Sequence, residues 1–207
     1  MSSARQAART NEERSRQTRA ALVQAARELF VRNGYADTGT PQIVQSAGVT
    51  RGALYHHFED KAELLLAVLA GEAAAVAAEI EATAAGKDDP VQALLAGARA
   101  YFEAMAAPGR AQLLLQIGPS VLGPEALERL HAPNGTASLR AGLAELGAGK
   151  GSKQARVLDA LAGILGAGFD HAALAVAQGA SATPYLSAFR ELFEGLAGLT
   201  KMSRRAT

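Results

Sequence analysis

Apolar residues recur at intervals of three and four along almost the whole 207-residue chain, and no run alternates β-branched with polar residues between turn signals. That periodicity confines the chain to the all-α class. A first helix is expected over about 14–33, where Leu22, Ala25, Ala26, Leu29 and Phe30 form one face and Asn33-Gly34 supplies a stop. A very short second helix is expected from Pro41, with Thr40 as its N-cap and Ile43, Val44 and Ala47 turned inward, until Gly48 breaks it. A third follows Thr50, another N-cap type, and buries Leu54 and Phe58 one turn apart. Asp60 with Glu63 has the form of a capping box opening a long helix over 61–85. Beyond it, "GKDDP" (86–90), "APGR" (107–110), "GPSVLGPE" (118–125), "PNG" (133–135) and "GAGKGS" (147–152) separate further helices, ending with two over about 152–178 and 184–199. The total is about nine helices, with no internal repeat.

Composition narrows the setting. The chain has no cysteine, so neither a disulfide framework nor a thiolate metal site is expected. No apolar run reads as long enough for a membrane span, and the opening "MSSARQAARTNEERSRQTR" is polar and arginine-rich, so a cytoplasmic location without membrane contact is expected. Charge is uneven. Residues 1–61 carry nine Lys/Arg against six Asp/Glu, and residues 62–207 carry twelve against fourteen. Arg5, Arg9, Arg14, Arg16 and Arg19 suit a flexible basic arm, placed at 1–13, that is attracted to polyanions; a solvated tail without a partner is the alternative.

Helix, glycine turn, helix, supported by a preceding helix, is an arrangement that can set a short second helix into the major groove of DNA. With Leu54 and Phe58 anchoring that helix from behind, Arg51, Tyr55, His56 and His57 are left near its free side. Gly52 and Ala53 are small enough for close approach to base edges, and Arg51 can offer two donors to guanine. Thr40, Tyr55, His57 and Lys61 are placed to bind phosphate. His56 and His57 point roughly 100° apart on a helix and cannot chelate one ion together. A helix-turn-helix used only for packing is the competing reading.

Residues 18–66 resemble the DNA-binding region of the tetracycline-repressor (TetR) family of bacterial transcription regulators. The resemblance is carried without a gap by Phe30, Gly34, Tyr35, Thr38, Ile43, Ala47, Gly48, Val49, Thr50, Gly52, Leu54, Tyr55, His57, Phe58, Lys61 and Leu64. It implies that Arg51, Gly52, Ala53, Tyr55 and His56 face the bases and that Thr40, Tyr55, His57 and Lys61 bind the backbone. Two positions depart from the pattern. Gly39 stands where the family usually has Ser or Thr, and Pro41 where many members carry a polar residue able to reach DNA. The resemblance further implies a division into the arm, a helix-turn-helix domain at 14–61, and a helical ligand-binding and dimerisation domain at 62–207. The expected partners are a double-stranded operator, a small hydrophobic or amphipathic effector and a second copy of the chain, with no cofactor.

Independent support for pairing comes from the last two helices. Leu158, Leu161, Ala162, Leu165 and Phe169, joined by Phe189, Leu192, Phe193 and Leu196, give apolar stripes suited to a four-helix dimer interface, with monomer core packing as the alternative. Gly163, Gly166 and Gly168 point to a close helix–helix approach. For a ligand pocket the candidates are the less expected polar and bulky residues of the middle helices: Arg99, Tyr101, Phe102, Met105, Gln112, Gln116, His131, Phe169 and Asp170. "GAGKGSK" (147–153) lacks the Ser/Thr, spacing and preceding strand of a phosphate-binding loop. Asp170-His171 are helix neighbours that do not face each other, and no nucleophile accompanies them. An enzyme tethered by its helix-turn-helix and a helical protein-interaction module are the alternatives to a DNA-binding regulator.

Overall fold

The computed structural model describes residues 2–84, 89–123, 125–127, 136–146 and 152–205. Among the described residues there are ten α-helices and one π-helical turn, and no strand. The first three are α1 (Ser2–Asn33), α2 (Thr40–Ala47) and α3 (Arg51–His57). The expected arm is corrected: α1 already begins at Ser2, because residues 2–13 are rich in Ala, Arg, Gln and Glu, which are strong helix formers, and Glu12 precedes Arg16 by one turn. Thr40 is likewise the first residue of α2 rather than its cap. Gly39 holds the cap position, and its N–H donates to the Gln42 side chain at 2.8 Å. Gly48 ends α2 with φ +65, a left-handed conformation that glycine adopts without strain, and its N–H donates to the Gln45 carbonyl at 3.2 Å.

The spine is α4 (Lys61–Ala84). Its entry is held by Asp60, which accepts the Glu63 N–H at 2.8 Å, while the Glu63 carboxylate accepts from Glu59 at 2.5 Å. Leu64, Leu65, Val68 and Leu69 of α4 join Leu22, Ala26, Phe30, Ile43, Leu54 and Phe58 in a single buried core. The N-terminal helices therefore rest on the spine that leads into the rest of the chain.

The second half is organised around α5 (Pro90–Met105), capped by Asp89, whose carboxylate accepts the Val91 N–H at 3.1 Å. Valine, leucine, alanine and phenylalanine occupy most of its faces, so it is wrapped by α4, α8 (Thr136–Glu145), α9 (Ser152–Ala177) and α10 (Thr183–Arg205). Between α5 and α8 runs a short rod: α6 (Arg110–Gln112), the π-helical turn Leu113–Ile117 and α7 (Gly118–Val121). Phe169 of α9 and Phe189 of α10 stack with centroids 3.9 Å apart and planes 13° apart, and Phe102 and Phe193 complete the aromatic cluster.

Two expectations change here. Leu158, Ala162, Leu165, Phe169, Phe189 and Phe193 are buried in this chain's own core, so they cannot also face a second copy. The stripe that remains free lies beside them, with Val157 61%, Ile164 69% and Leu192 51% exposed, and Leu161 and Leu196 partly so. Among the described residues no neighbouring side chain comes within 4 Å of a Cβ built at Gly163 or Gly166, while one at Gly168 would meet the Phe189 ring at 3.6 Å. The second change concerns length: Ala155–Ala177, with mean hydropathy 1.5, is long and apolar enough to cross a membrane. It is instead built into the fold, where Ala172 and Ala173 are fully buried and Asp170 accepts a hydrogen bond from Tyr101 at 2.5 Å.

Candidate nucleic-acid interface

Recognition starts with how α3 is held. Thr50 accepts the Ala53 N–H on its hydroxyl at 3.2 Å, and Leu54 and Phe58 are buried, which fixes the helix from its N-terminus and from behind. The outward side carries Arg51, Gly52, Tyr55 and His56, all exposed, with Ala53 half-buried. A Cβ at Gly52 would meet only the Thr50 hydroxyl at 3.9 Å, so the surface there is open. The candidate base-reading residues thus form one continuous face.

Tyr55 links that face to α2. Its hydroxyl interacts with Thr40 and Arg51, which together hold the phenol below its ordinary pKa, and the Arg51 guanidinium carbon lies 5.5 Å from its ring centroid. Arg51 is thereby presented from a preformed position. His57 is half-buried, and burial, then the charges of His56 and Arg19, lower its pKa. Arg19 comes from α1, where its guanidinium carbon lies 5.1 Å from the Phe58 ring centroid. Composition flags Arg19 as basic, but only the fold puts it beside α3.

Lys61 has a task that the sequence did not indicate. Its ammonium donates to the carbonyls of Tyr35 at 2.8 Å and Thr38 at 2.9 Å and lies 4.1 Å from the Tyr35 ring centroid. Two of its three N–H groups therefore clamp the turn between α1 and α2. Thr38, fully buried, ties the same turn by donating to the Gly34 carbonyl at 2.7 Å.

A buried ionic cluster connects this region to the remainder of the chain. Glu72 on α4 accepts from Arg27 Nε of α1 at 2.5 Å and from Arg110 Nε of α6 at 2.8 Å. Arg27 also reaches the Pro108 carbonyl at 3.0 Å, and Arg110 reaches the Ala104 carbonyl at 2.6 Å and Glu79 at 2.9 Å. Burial works to raise the Glu72 pKa, but the hydrogen bonds and charges of Arg27 and Arg110 prevail and hold it below the usual glutamate value. Beside the cluster, Gly109 has φ +78, and a Cβ there would lie 2.4 Å from a Val31 methyl. The turn after α5 therefore seats directly on α1. No short-range pattern signals this contact, because Glu72 lies 45 residues from Arg27 and 38 from Arg110.

The pocket candidates scatter. Tyr101 and Asp170 pair with each other, and burial, then the Asp170 charge, raise the phenol pKa. Phe102, Met105 and Phe169 are core residues, Gln112 is half-buried and Gln116 exposed on the rod, and His131 lies outside the described residues. A cleft of about 390 Å³ does open between α5 and α10, and of the candidates it gathers only Arg99 and Phe102.

Comparison with known proteins bears on both halves. Residues 22–68 match the family described as bacterial regulatory proteins, tetR family, and residues 91–198 match the tetracyclin repressor-like C-terminal domain. The HTH-type transcriptional regulator TtgR of Pseudomonas putida is 46% identical over 61 residues, 30% of this chain and 29% of TtgR. AcrR of Shigella flexneri is 32% identical over 111 residues, 53% of this chain and 52% of AcrR. The chain thus spans only about a third to a half of these relatives. A TetR-family regulator from Pectobacterium atrosepticum superimposes with a TM-score of 0.62 at 26% identity, covering 89% of this chain and 94% of that one. One from Streptomyces coelicolor has a TM-score of 0.68 at 23% identity, covering 89% and 96%, and this shows a shared fold. The N-terminal match falls on the helices that present Arg51 and Tyr55, and the C-terminal match alone takes in more than half of the chain: the protein belongs to the TetR family of bacterial regulatory proteins.

Proposed function

We propose that the protein is a homodimeric transcriptional repressor of the cytoplasm that binds a near-palindromic operator and leaves it when a small molecule occupies the C-terminal region. The single observation that carries this reading is the Thr50-capped α3, which rests on a buried Leu54 and exposes Arg51, Gly52, Tyr55 and His56 together. Residues 14–61 act as the DNA-reading head and residues 62–207 as the receiver, a regulator without catalytic turnover.

Within the head, Arg51, Gly52, Ala53, Tyr55 and His56 read bases, while Thr40, Tyr55, His57 and Lys61 hold phosphates. Two copies join through the free stripe of Val157, Leu161, Ile164, Leu192 and Leu196, where open space at Gly163 lets backbones approach. Their recognition helices then enter major grooves about 34–36 Å apart. A ligand releases DNA only by favouring a head spacing that does not fit, a coupling of about 1–3 kcal/mol.

Selection from a random duplex pool with purified protein, read against a salt titration, tests the proposal. An inverted repeat should be recovered, with affinity falling steeply as salt rises. Recovery of only salt-sensitive nonspecific binding would remove the regulator reading.

A further inference from the structure

The cleft between α5 and α10 is assembled from two facing stripes of helix. Arg99, Phe102 and Glu103 come from one face of α5, Leu186 and Arg190 from one face of α10, and Val176 from the end of α9. Its volume of about 390 Å³ suits a small organic molecule. Arg99 and Arg190 are both exposed, and neither forms an ion pair with another described residue. Two guanidiniums therefore line a cleft whose other walls mix apolar Phe102, Val176 and Leu186 with polar Glu103, Thr183 and Ser187.

We propose that this cleft binds a small organic monoanion, a carboxylate on an alkyl or aryl body, with Arg99 and Arg190 gripping the carboxylate and Phe102, Val176 and Leu186 covering the body. Planar guanidinium forks match the two oxygens of a carboxylate and favour it over a neutral head group. Glu103 leaves the cleft one net positive charge, so a monoanion is neutralised there while a dianion would carry one uncompensated charge into it. Arg190 lies two residues before Leu192, roughly 200° around the helix, so the cleft stays open when the free face of α10 is covered. The route to DNA is short, because α5 ends in the turn that seats on Val31 of α1. The inference rests on the reading of the C-terminal region as the ligand receiver.

The test is calorimetric titration of the full chain with octanoate and 2-naphthoate, against octanol, 2-naphthol and acetate. Both long carboxylates should bind saturably, the neutral analogues and acetate at least about tenfold more weakly, and added salt should weaken the carboxylates. Arg99→Gln and Arg190→Gln should each lose roughly tenfold in affinity. Both arginines are exposed, so melting temperature and operator binding without ligand should stay unchanged and certify folding. Carboxylate affinity unchanged in the double variant, or no saturable binding of either carboxylate up to about 1 mM, overturns the inference. The duplex selection separates the two readings. An inverted repeat recovered without carboxylate binding sinks the cleft alone, whereas arginine-dependent binding without a recovered site leaves the cleft and sinks the regulator.

Discussion

Replacing Glu72 with Gln tests whether the cluster that joins α1, α4 and α6 bears on stability. The Glu72, Arg110 and Arg27 side chains are 10%, 12% and 25% exposed, so all three are largely withdrawn from water. Glutamine has nearly the same shape but removes the negative charge and turns an amide NH2 toward one of two guanidiniums. Breaking a buried ion pair from one side costs about 3–5 kcal/mol, because the surviving charge is stranded. Arg110 keeps Glu79 and the Ala104 carbonyl, and Arg27 retains some solvent, which places the loss at the lower end, about 3 kcal/mol. For a chain of this size each kcal/mol moves Tm by about 2–4 °C, so scanning calorimetry at fixed protein concentration should register a drop of about 6–12 °C. Glu79→Gln is the control. That carboxylate is half-exposed, and its loss should cost no more than about 1 kcal/mol. Equal shifts for the two variants would refute the claim that burial makes Glu72 decisive. The sign with pH is fixed too. Because the folded pKa of Glu72 is depressed, its contribution is present above the ordinary value of about 4.3 and is lost as pH falls through the lower folded pKa. The gap between wild type and Glu72→Gln should therefore close in that acid window.

Further predictions follow from the other contacts. Arg51→Ala should cost about 1–3 kcal/mol on the selected operator and relax preference at one base pair, while nonspecific binding measured by fluorescence anisotropy stays nearly constant; equal loss of both would refute its base-reading role. Thr50→Ala removes the cap of α3 and should cost about 1 kcal/mol of stability by denaturant titration. Leu192→Asp should leave the fold intact by circular dichroism and shift the protein to monomer in analytical ultracentrifugation; a persistent dimer would move the interface elsewhere. Gly109→Ala meets both a left-handed backbone and the Val31 methyls, so Val31→Ala in the same chain should recover only the steric part of its loss in Tm.

The head was legible in the sequence because its signals are local. A stop at Gly34, a left-handed turn at Gly48, a cap at Thr50 and an i, i+4 anchor at Leu54 and Phe58 each act within one helical turn, and the structure holds all of them. The start of α1 is less legible, because a polar stretch reads equally as an arm or as a solvated helix, and alanine, arginine and glutamate suit the helix. In α9 the apolar stripe is so broad that periodicity could not separate Leu158, Ala162 and Leu165, which face the core, from Val157 and Ile164, which face out. The pocket candidates are gathered only in part, Arg99 and Phe102 at the cleft, because an unexpected polar residue in a helix is as well explained by a partner in the same chain, as Tyr101 and Asp170 are by each other. The ionic cluster left no trace, since its members meet only once α6 has folded back over α1 and α4.

The seating of Gly109 on Val31 also bears on how freely such proteins can exchange parts. Head and receiver do not meet only at the continuous helix α4. They interlock at a second place, where the turn after α5 meets α1 and Arg27 reaches across to Glu72 and the Pro108 carbonyl. A chimera that joins this head to a foreign receiver at residue 61 would leave Arg27 without its carboxylate and Val31 facing whatever turn the new receiver supplies. Transplanting residues 14–61 with these contacts intact therefore means carrying Glu72 and the stretch from Ala104 to Arg110 along with them.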